Sequence, residues 1–235
     1  MSVNYGKSVP GIRSERTYTP REVLVSQNGA QYLERGKIIS GATSRDPLNT
    51  GDITTLRPGL LLGKITSGGE YAPSILGTLS ANFTATTFAM TVSAATATEL
   101  SRRIGTSGTF KITGPPSSAG TVATSSVSYS AVNTTTGVIT NITTLPAFIS
   151  GSLIQPNDGS ETPTVILDEH IRVTDVDGND LDVSGAKLLR AGMIQSAQVL
   201  NYPSDSSLKT WLKGTLNKLS STVAGKAPFD FDDNY

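Results

Sequence analysis

The sequence predicts a mainly β protein with one C-terminal helix. Gly, Ser and Thr are frequent, 16% of the residues are charged and 6% are aromatic, and this balance favours short strands and turns over helices. Apolar and polar residues alternate in many short segments that Gly, Pro, Asn or Asp interrupt. The clearest helical spacing lies near the C-terminus. With 235 residues, the chain can bury one large β domain or two small ones.

Composition excludes several classes of function. The formal net charge is zero and the pI is about 6.6, so no overall field attracts the chain to nucleic acid or to an anionic membrane. The absence of cysteine excludes disulfide scaffolds, cysteine zinc sites and thiol catalysis. The start of the chain lacks the apolar run of a signal peptide, and no apolar run approaches the roughly 18 residues of a membrane span. We therefore expect a soluble protein that is made in a cytoplasm.

Residues 1–20 combine Gly and Pro with basic residues, so little of this segment can be buried. It is either a solvated terminal tail or an arm that becomes ordered on a partner. The apolar side chains favour the arm, because a solvating tail rarely carries so many of them. The candidate binding residues of the arm are Val3, Tyr5, Val9, Ile12, Arg13, Arg16 and Tyr18.

Residues 21–77 predict two antiparallel hairpins. Asn28-Gly29 lies between "VLV" and "QYLERGKII" and is a strong hairpin signal. Farther on, Arg57-Pro58-Gly59 suits a turn, and "LLLGKIT" predicts a short buried strand. The "SGG" that follows predicts a tight turn, and "EYAPSIL" predicts the returning strand of a core hairpin.

Residues 78–150 differ in composition from the rest of the chain. Ser and Thr dominate, and the only charged residues are Glu99, Arg102, Arg103 and Lys111. Three period-two segments, "SGTFKITGPP", "TVATSSVSYSAV" and "GVITNITTL", predict half-buried strands, and Asn133 to Gly137 suits a hairpin loop. "SAATATELSRRIG" predicts one short helix. The segment is thus expected to form a small, separate β module.

Residues 151–235 again show short strand patterns that turns interrupt, as residues 21–77 do. "IRVTDVDGNDLDVSG" predicts two strands that an Asp-Gly turn joins. A helix is predicted from about Asp205, with Ser204 or Asp205 as the N-cap. Its apolar face is expected to comprise Leu208, Trp211, Leu212, Thr215, Leu216 and Leu219. The final "FDFDD" is either an acidic pairing segment or a frayed end, and we expect the frayed end.

No catalytic, cofactor-binding or metal-binding residues are predicted. His170 is the only histidine, and no serine lies in a nucleophile pattern near it, although Asp168 could share its face of a strand. "DVDGNDLD", Asp175 to Asp182, fails the EF-hand pattern because Gly falls at the fourth position and Ala186 at the twelfth. A hairpin turn explains this segment better than a weak cation site.

Two stretches resemble one protein family. "LRPGLLLGKITSGGEYAP" is similar to the strand and Gly turn of phage head decoration proteins of the lambda type. "IRVTDVDGNDLDVSGAKLLRAGMIQSAQVL" resembles the final strands of that family, especially at "LLRAGMI", Leu188 to Ile194. The resemblance covers residues 21–77 and 151–225. Residues 78–150 interrupt it at a turn, where an insertion is tolerated because the entropy cost of loop closure grows slowly with loop length.

The resemblance implies a β-clip-like decoration core, residues 21–77 and 151–235, with an extended arm at 1–20 and an outward-facing insertion at 78–150. It also implies a capsid cement protein, not an enzyme, that binds the major capsid protein and itself as a homotrimer at threefold and quasi-threefold positions on the virion. The arm would contact the capsid and be disordered in the free protein. The alternative is a phage tail, baseplate or fibre protein, and a third class is an enzyme acting on sugars or peptides. The insertion is a spacer without a ligand, a contact between copies or a contact with a host-surface glycan.

Overall fold

The computed structural model describes residues 22–33, 37–118, 120–143, 145–218 and 229–233. These residues form seventeen strands, two α-helices and one short 3₁₀ turn, which confirms the mainly β class. The helices are α1 (Ala94–Arg103) and α2 (Ser206–Lys218). The strands are β1 (Leu24–Tyr32), β2 (Ile38–Ile39), β3 (Thr55–Leu56), β4 (Leu61–Lys64), β5 (Tyr71–Pro73), β6 (Gly77–Thr78), β7 (Ala89–Thr91), β8 (Gly108–Gly114), β9 (Ala123–Tyr129), β10 (Ala131–Asn133), β11 (Val138–Thr140), β12 (Leu153–Gln155), β13 (Pro163–Leu167), β14 (Ile171–Arg172), β15 (Val183–Ser184), β16 (Leu188–Gln195) and β17 (Phe229–Asp232).

The main sheet has the order β1-β16-β13-β4-β5-β2-β15, and β17 lies beside β16. The predicted core hairpin is present as β4 and β5, which pair antiparallel from Leu62↔Pro73 to Lys64↔Tyr71. Its turn contains Gly68 and Gly69, both with positive φ, a conformation that favours glycine. The predicted apolar run forms β4. Its first three residues are buried, and the run ends at the exposed Lys64.

The predicted Asn28-Gly29 hairpin is wrong. Both sides of this dipeptide belong to β1, and both pair with β16 instead of with each other, at Ser26↔Met193 and Gln31↔Ala191. Between those pairs β1 has more residues than β16, so the positive φ of Gly29 serves a bulge. Asn28-Gly29 does interrupt the regular strand, but the strand that pairs with both of its sides is β16, from the far end of the chain.

The Ser/Thr-rich segment contributes to two smaller sheets, β6-β12-β8-β9 and β10-β11-β7. The three predicted strand segments contain β8, β9 and β11, and the loop between β10 and β11 begins at Asn133 as expected. The predicted short helix is α1, whose N-cap Ser93 accepts a hydrogen bond from the Thr96 amide. The remaining small sheet pairs β14 with β3.

Two short stretches are shared between neighbouring cores. In β12, Leu153 belongs to the core beneath α2, whereas Ile154 belongs to the core of the Ser/Thr-rich segment. Ile75 and Leu76 divide in the same way, and the Leu76 amide donates to the Ile154 carbonyl. The strand that leads out of residues 78–150 therefore forms part of both cores. The division of the chain after residues 77 and 150 stays a prediction.

Helix α2 packs against the main sheet at β13 and β17. Asp205 is the N-cap, because its Oδ1 accepts hydrogen bonds from the amides of Ser207 and Leu208. Of the predicted apolar face, Leu208, Leu212 and Leu216 are buried, Trp211 and Thr215 are half-buried, and Leu219 lies outside the described residues.

The expectation of a frayed C-terminus is wrong. "FDFD" forms β17, which pairs parallel with β16 from Gly192↔Phe229 to Gln195↔Asp232. Phe229 and Phe231 enter the core beneath α2. The period-two alternation of Phe and Asp was the signal for this strand.

Candidate interaction surfaces

The seven candidate residues of the predicted arm, which lie within positions 3–18, fall outside the described residues. The described chain starts at Glu22, and the Val23 carbonyl accepts a hydrogen bond from the Gln195 amide, so β1 begins beside the end of β16. In the described part of the chain, β16 is the only strand that pairs with β1, so β1 is an edge strand of the described sheet.

The four charged residues of 78–150 all lie at the base of this segment. Arg102 forms a two-point ion pair with the buried Glu99 and donates to the Ala42 carbonyl at 2.5 Å. Arg103 and Lys111 pair with Asp158 and Glu161, which follow β12. The few charged side chains of residues 78–150 therefore lie where this segment meets the rest of the described chain. The other described surfaces of the segment carry no charged side chain.

Arg103 is the centre of this contact, and its side chain is 1% exposed. Its Nη1 donates to the Pro73 carbonyl at 2.6 Å, and its Nη2 donates to Asp158 Oδ2 at 2.9 Å and to Ser160 Oγ at 2.6 Å. Burial raises the pKa of Asp158, but the charge of Arg103 and the hydrogen bonds from Ser160 outweigh burial and hold this pKa below its ordinary value. Burial also lowers the pKa of Arg103. A buried ion pair thus joins α1 to the loop after β12.

A second polar connection lies beside the first. Lys111 Nζ donates to Glu161 Oε1, and Glu161 Oε2 accepts from the Gly159 amide. Thr113 on β8 donates to Gln155 on β12, whose Nε2 donates to the Glu161 carbonyl at 2.6 Å. These hydrogen bonds satisfy polar groups that the pairing of β8 with β12 buries.

The two carboxylates that precede His170 in the sequence bind groups elsewhere in the chain. Asp168 accepts a hydrogen bond from the Tyr32 hydroxyl at 2.5 Å, and Glu169 accepts from the Lys187 amide. Burial and then Asp168 raise the pKa of Tyr32 to about 12. His170 lies half-buried between β13 and β14. Asp168 thus joins the start of β14 to the edge strand β1.

The Asp175 to Asp182 segment forms the predicted turn, closed by an isolated bridge between Thr174 and Asp180. The two strands expected to flank it do not pair with each other, because β14 pairs with β3 and β15 pairs with β2. Asp175 Oδ1 accepts from the amides of Asp177 and Asn179, and Gly178 has a positive φ. Within the described residues, no group of three His, Cys, Asp or Glu side chains is placed to hold a metal ion. Neither helix in that part of the chain is long and apolar enough to cross a membrane.

In the sequence, Arg103 and Lys111 were distinguished only as rare charges within residues 78–150, and nothing marked Asp158 and Glu161 as their partners. The signal in the sequence was the small number of charged residues in 78–150, because a charged residue in a nearly uncharged segment often has a specific partner.

The described residues form a mainly β protein. In it, β1 is an edge strand, and the buried Arg103 joins the Ser/Thr-rich segment to the loop after β12. Comparison with known proteins adds no family to this class: no family model, no curated protein and no solved structure matches the chain.

Proposed function

We propose that this protein is a capsid decoration protein that binds the expanded phage head as trimers at threefold and quasi-threefold positions and stabilises the shell. One observation carries the proposal. The two stretches that resemble the lambda-type family contain β4, β5, β15 and β16 of the main sheet, together with β14, which pairs with β3 outside that sheet. Only β13 separates β4 from β16 in the main sheet, and the interrupting residues 78–150 lie outside it. The proximity of β4, β5 and β16 supports the proposal of a β-clip-like core.

The position of the arm supports the same role. An extended segment that continues from the edge strand β1 binds a partner through main-chain hydrogen bonds, so few specialised side chains are needed. The apolar side chains and the two arginines of the arm add contacts with the major capsid protein. Many identical copies bind one shell, and each contact can be weak because neighbouring contacts reinforce one another.

Density for this chain is expected on local threefold and quasi-threefold axes in cryo-electron microscopy of purified virions. The trimer is stabilised on the shell, so the free protein can have the mass of a monomer. Density at any other position on the head would overturn the trimer, and density on the tail, baseplate or fibres would favour the alternative structural role.

Deletion of residues 78–150, with a short Gly/Ser linker from Gly77 to Gly151, is expected to leave a folded core that binds capsids. The linker can be short because the Gly151 amide donates to the Leu79 carbonyl, so the two ends are adjacent. The deletion exposes Leu76 and Ile154, which are buried in the intact chain, and we expect a loss of several kcal/mol in the free energy of unfolding.

The matched control adds Leu76→Ser and Ile154→Thr to the deletion, which removes the exposed apolar surface. Thermal unfolding and co-sedimentation with expanded capsids measure the two properties separately. A core that fails to fold in both variants, or density that places residues 78–150 against the shell, would contradict the outward-facing module.

A further inference from the structure

An open cleft of about 400 Å³ lies where residues 120–122 meet the first turns of α2. The wall from α2 comprises Ser206, Ser207, Thr210 and Trp211. Val122 and Trp211 both pack against the core beneath α2, which fixes the two sides of the cleft. One wall thus comes from the Ser/Thr-rich segment and the other from the C-terminal helix.

The Thr210 hydroxyl donates to the Ser206 carbonyl, but four other polar side chains of this cleft have no hydrogen-bond partner within the part of the chain that the structure describes. The hydroxyls of Thr121, Ser206 and Ser207 make no hydrogen bond there, and neither does the indole N–H of Trp211. Trp211 is half-buried, and a tryptophan in that position usually finds a partner for its N–H. Three hydroxyls and one indole donor therefore remain available to a ligand.

The chemistry of the lining selects the class of ligand. Among the described residues no charged side chain lines the cleft, and Asp205 already caps the start of α2, so these residues offer an anion no counter-charge. A purely apolar ligand would leave the hydroxyls and the indole N–H unpaired, which costs free energy. A pyranose ring matches both features, because its C–H face packs on an indole and its hydroxyls both donate and accept hydrogen bonds.

We propose that this cleft binds a neutral pyranose ring of an oligosaccharide, with Trp211 as the packing surface and Thr121 and Ser207 as hydrogen-bonding residues. The proposal goes beyond the decoration role and does not depend on it. It assigns residues to a glycan contact and extends that contact from residues 78–150 to α2.

The test uses the full-length protein, in which Trp211 is the only tryptophan and reports directly on the cleft. Tryptophan emission is followed during titration with maltohexaose, cellohexaose, chitohexaose and a linear mannohexaose, and a heparin hexasaccharide is the charged comparison. We expect a saturable change with at least one neutral hexasaccharide, with a dissociation constant in the millimolar range, and none with heparin.

Thr121→Val keeps the side-chain shape and removes one hydroxyl, so it is expected to weaken binding about tenfold, as is Ser207→Ala. Trp211→Ala removes the packing surface. If that variant fails to fold, Trp211→Phe, which keeps an aromatic ring, takes its place. Calorimetry measures the binding of either variant. Thr98→Val, on the exposed side of α1, is the matched control and should bind as the unaltered protein does. The proposal would be overturned by no response to any neutral hexasaccharide, by a preference for heparin, or by affinities of Thr121→Val and Ser207→Ala that equal that of the unaltered protein.

Discussion

Removal of residues 1–20 is expected to abolish binding to expanded capsids while the thermal unfolding temperature stays nearly unchanged. Val23 and β1 remain in the shortened chain, and with them the buried Val23 side chain and the pairing of β1 with β16. We therefore expect the arm to contribute to the capsid contact and not to the free energy of unfolding. Co-sedimentation with capsids and differential scanning calorimetry measure the two quantities on the same preparation.

Two further variants separate the contributions of the arm. Replacement of its five apolar candidates, Val3, Tyr5, Val9, Ile12 and Tyr18, by Ser should remove most of the affinity. Replacement of Arg13 and Arg16 by Gln should weaken binding moderately and reduce its dependence on salt concentration, because exposed charges are screened. Decoration at normal affinity by the shortened chain would show that the capsid contact lies elsewhere, and the edge strand β1 would then be the next surface to test.

Arg103→Met is expected to lower the free energy of unfolding by about 3 kcal/mol, because it leaves Asp158 and Ser160 without their buried partner. For a chain of this length, such a loss corresponds to a fall of roughly 10 °C in the unfolding temperature. Arg172→Met is the matched control, since Arg172 is exposed, and we expect a change within about 0.5 kcal/mol. Chemical denaturation monitored by circular dichroism measures both variants.

The double variant Arg103→Met with Asp158→Asn should recover part of the loss, because it no longer leaves a carboxylate beside an apolar side chain. A pH series gives an independent check. The pKa of folded Asp158 lies below its ordinary value of 3.8, so the contribution of the ion pair is complete above that value and disappears as the pH falls through the lower, folded pKa. The difference between the unaltered protein and Arg103→Met should therefore shrink in strong acid. A constant difference across that range would assign the effect to packing instead of charge.

Local patterns in the sequence determined much of the fold. The alternation around β8, β9 and β11 marked strands, and the helical spacing from Asp205 marked α2 with its N-cap. These predictions succeeded because a period of two or of 3.6 residues fixes which side of a segment is buried, whatever the segment packs against. The resemblance came from matching motifs and the arm from the composition of residues 1–20, and both stay predictions that the fold does not test.

The tertiary structure decided the partners. Asn28-Gly29 produces a bulge instead of a hairpin because β16, from the far end of the chain, pairs with both of its sides. β17 is ordered because Phe229 and Phe231 find a core beneath α2, and an isolated terminal segment has none. Arg103 is buried because Asp158, which is 55 residues away in sequence, meets it with Ser160 and the Pro73 carbonyl. A buried charge is tolerated only where such partners converge, and that convergence is a property of the folded chain that no local pattern encodes.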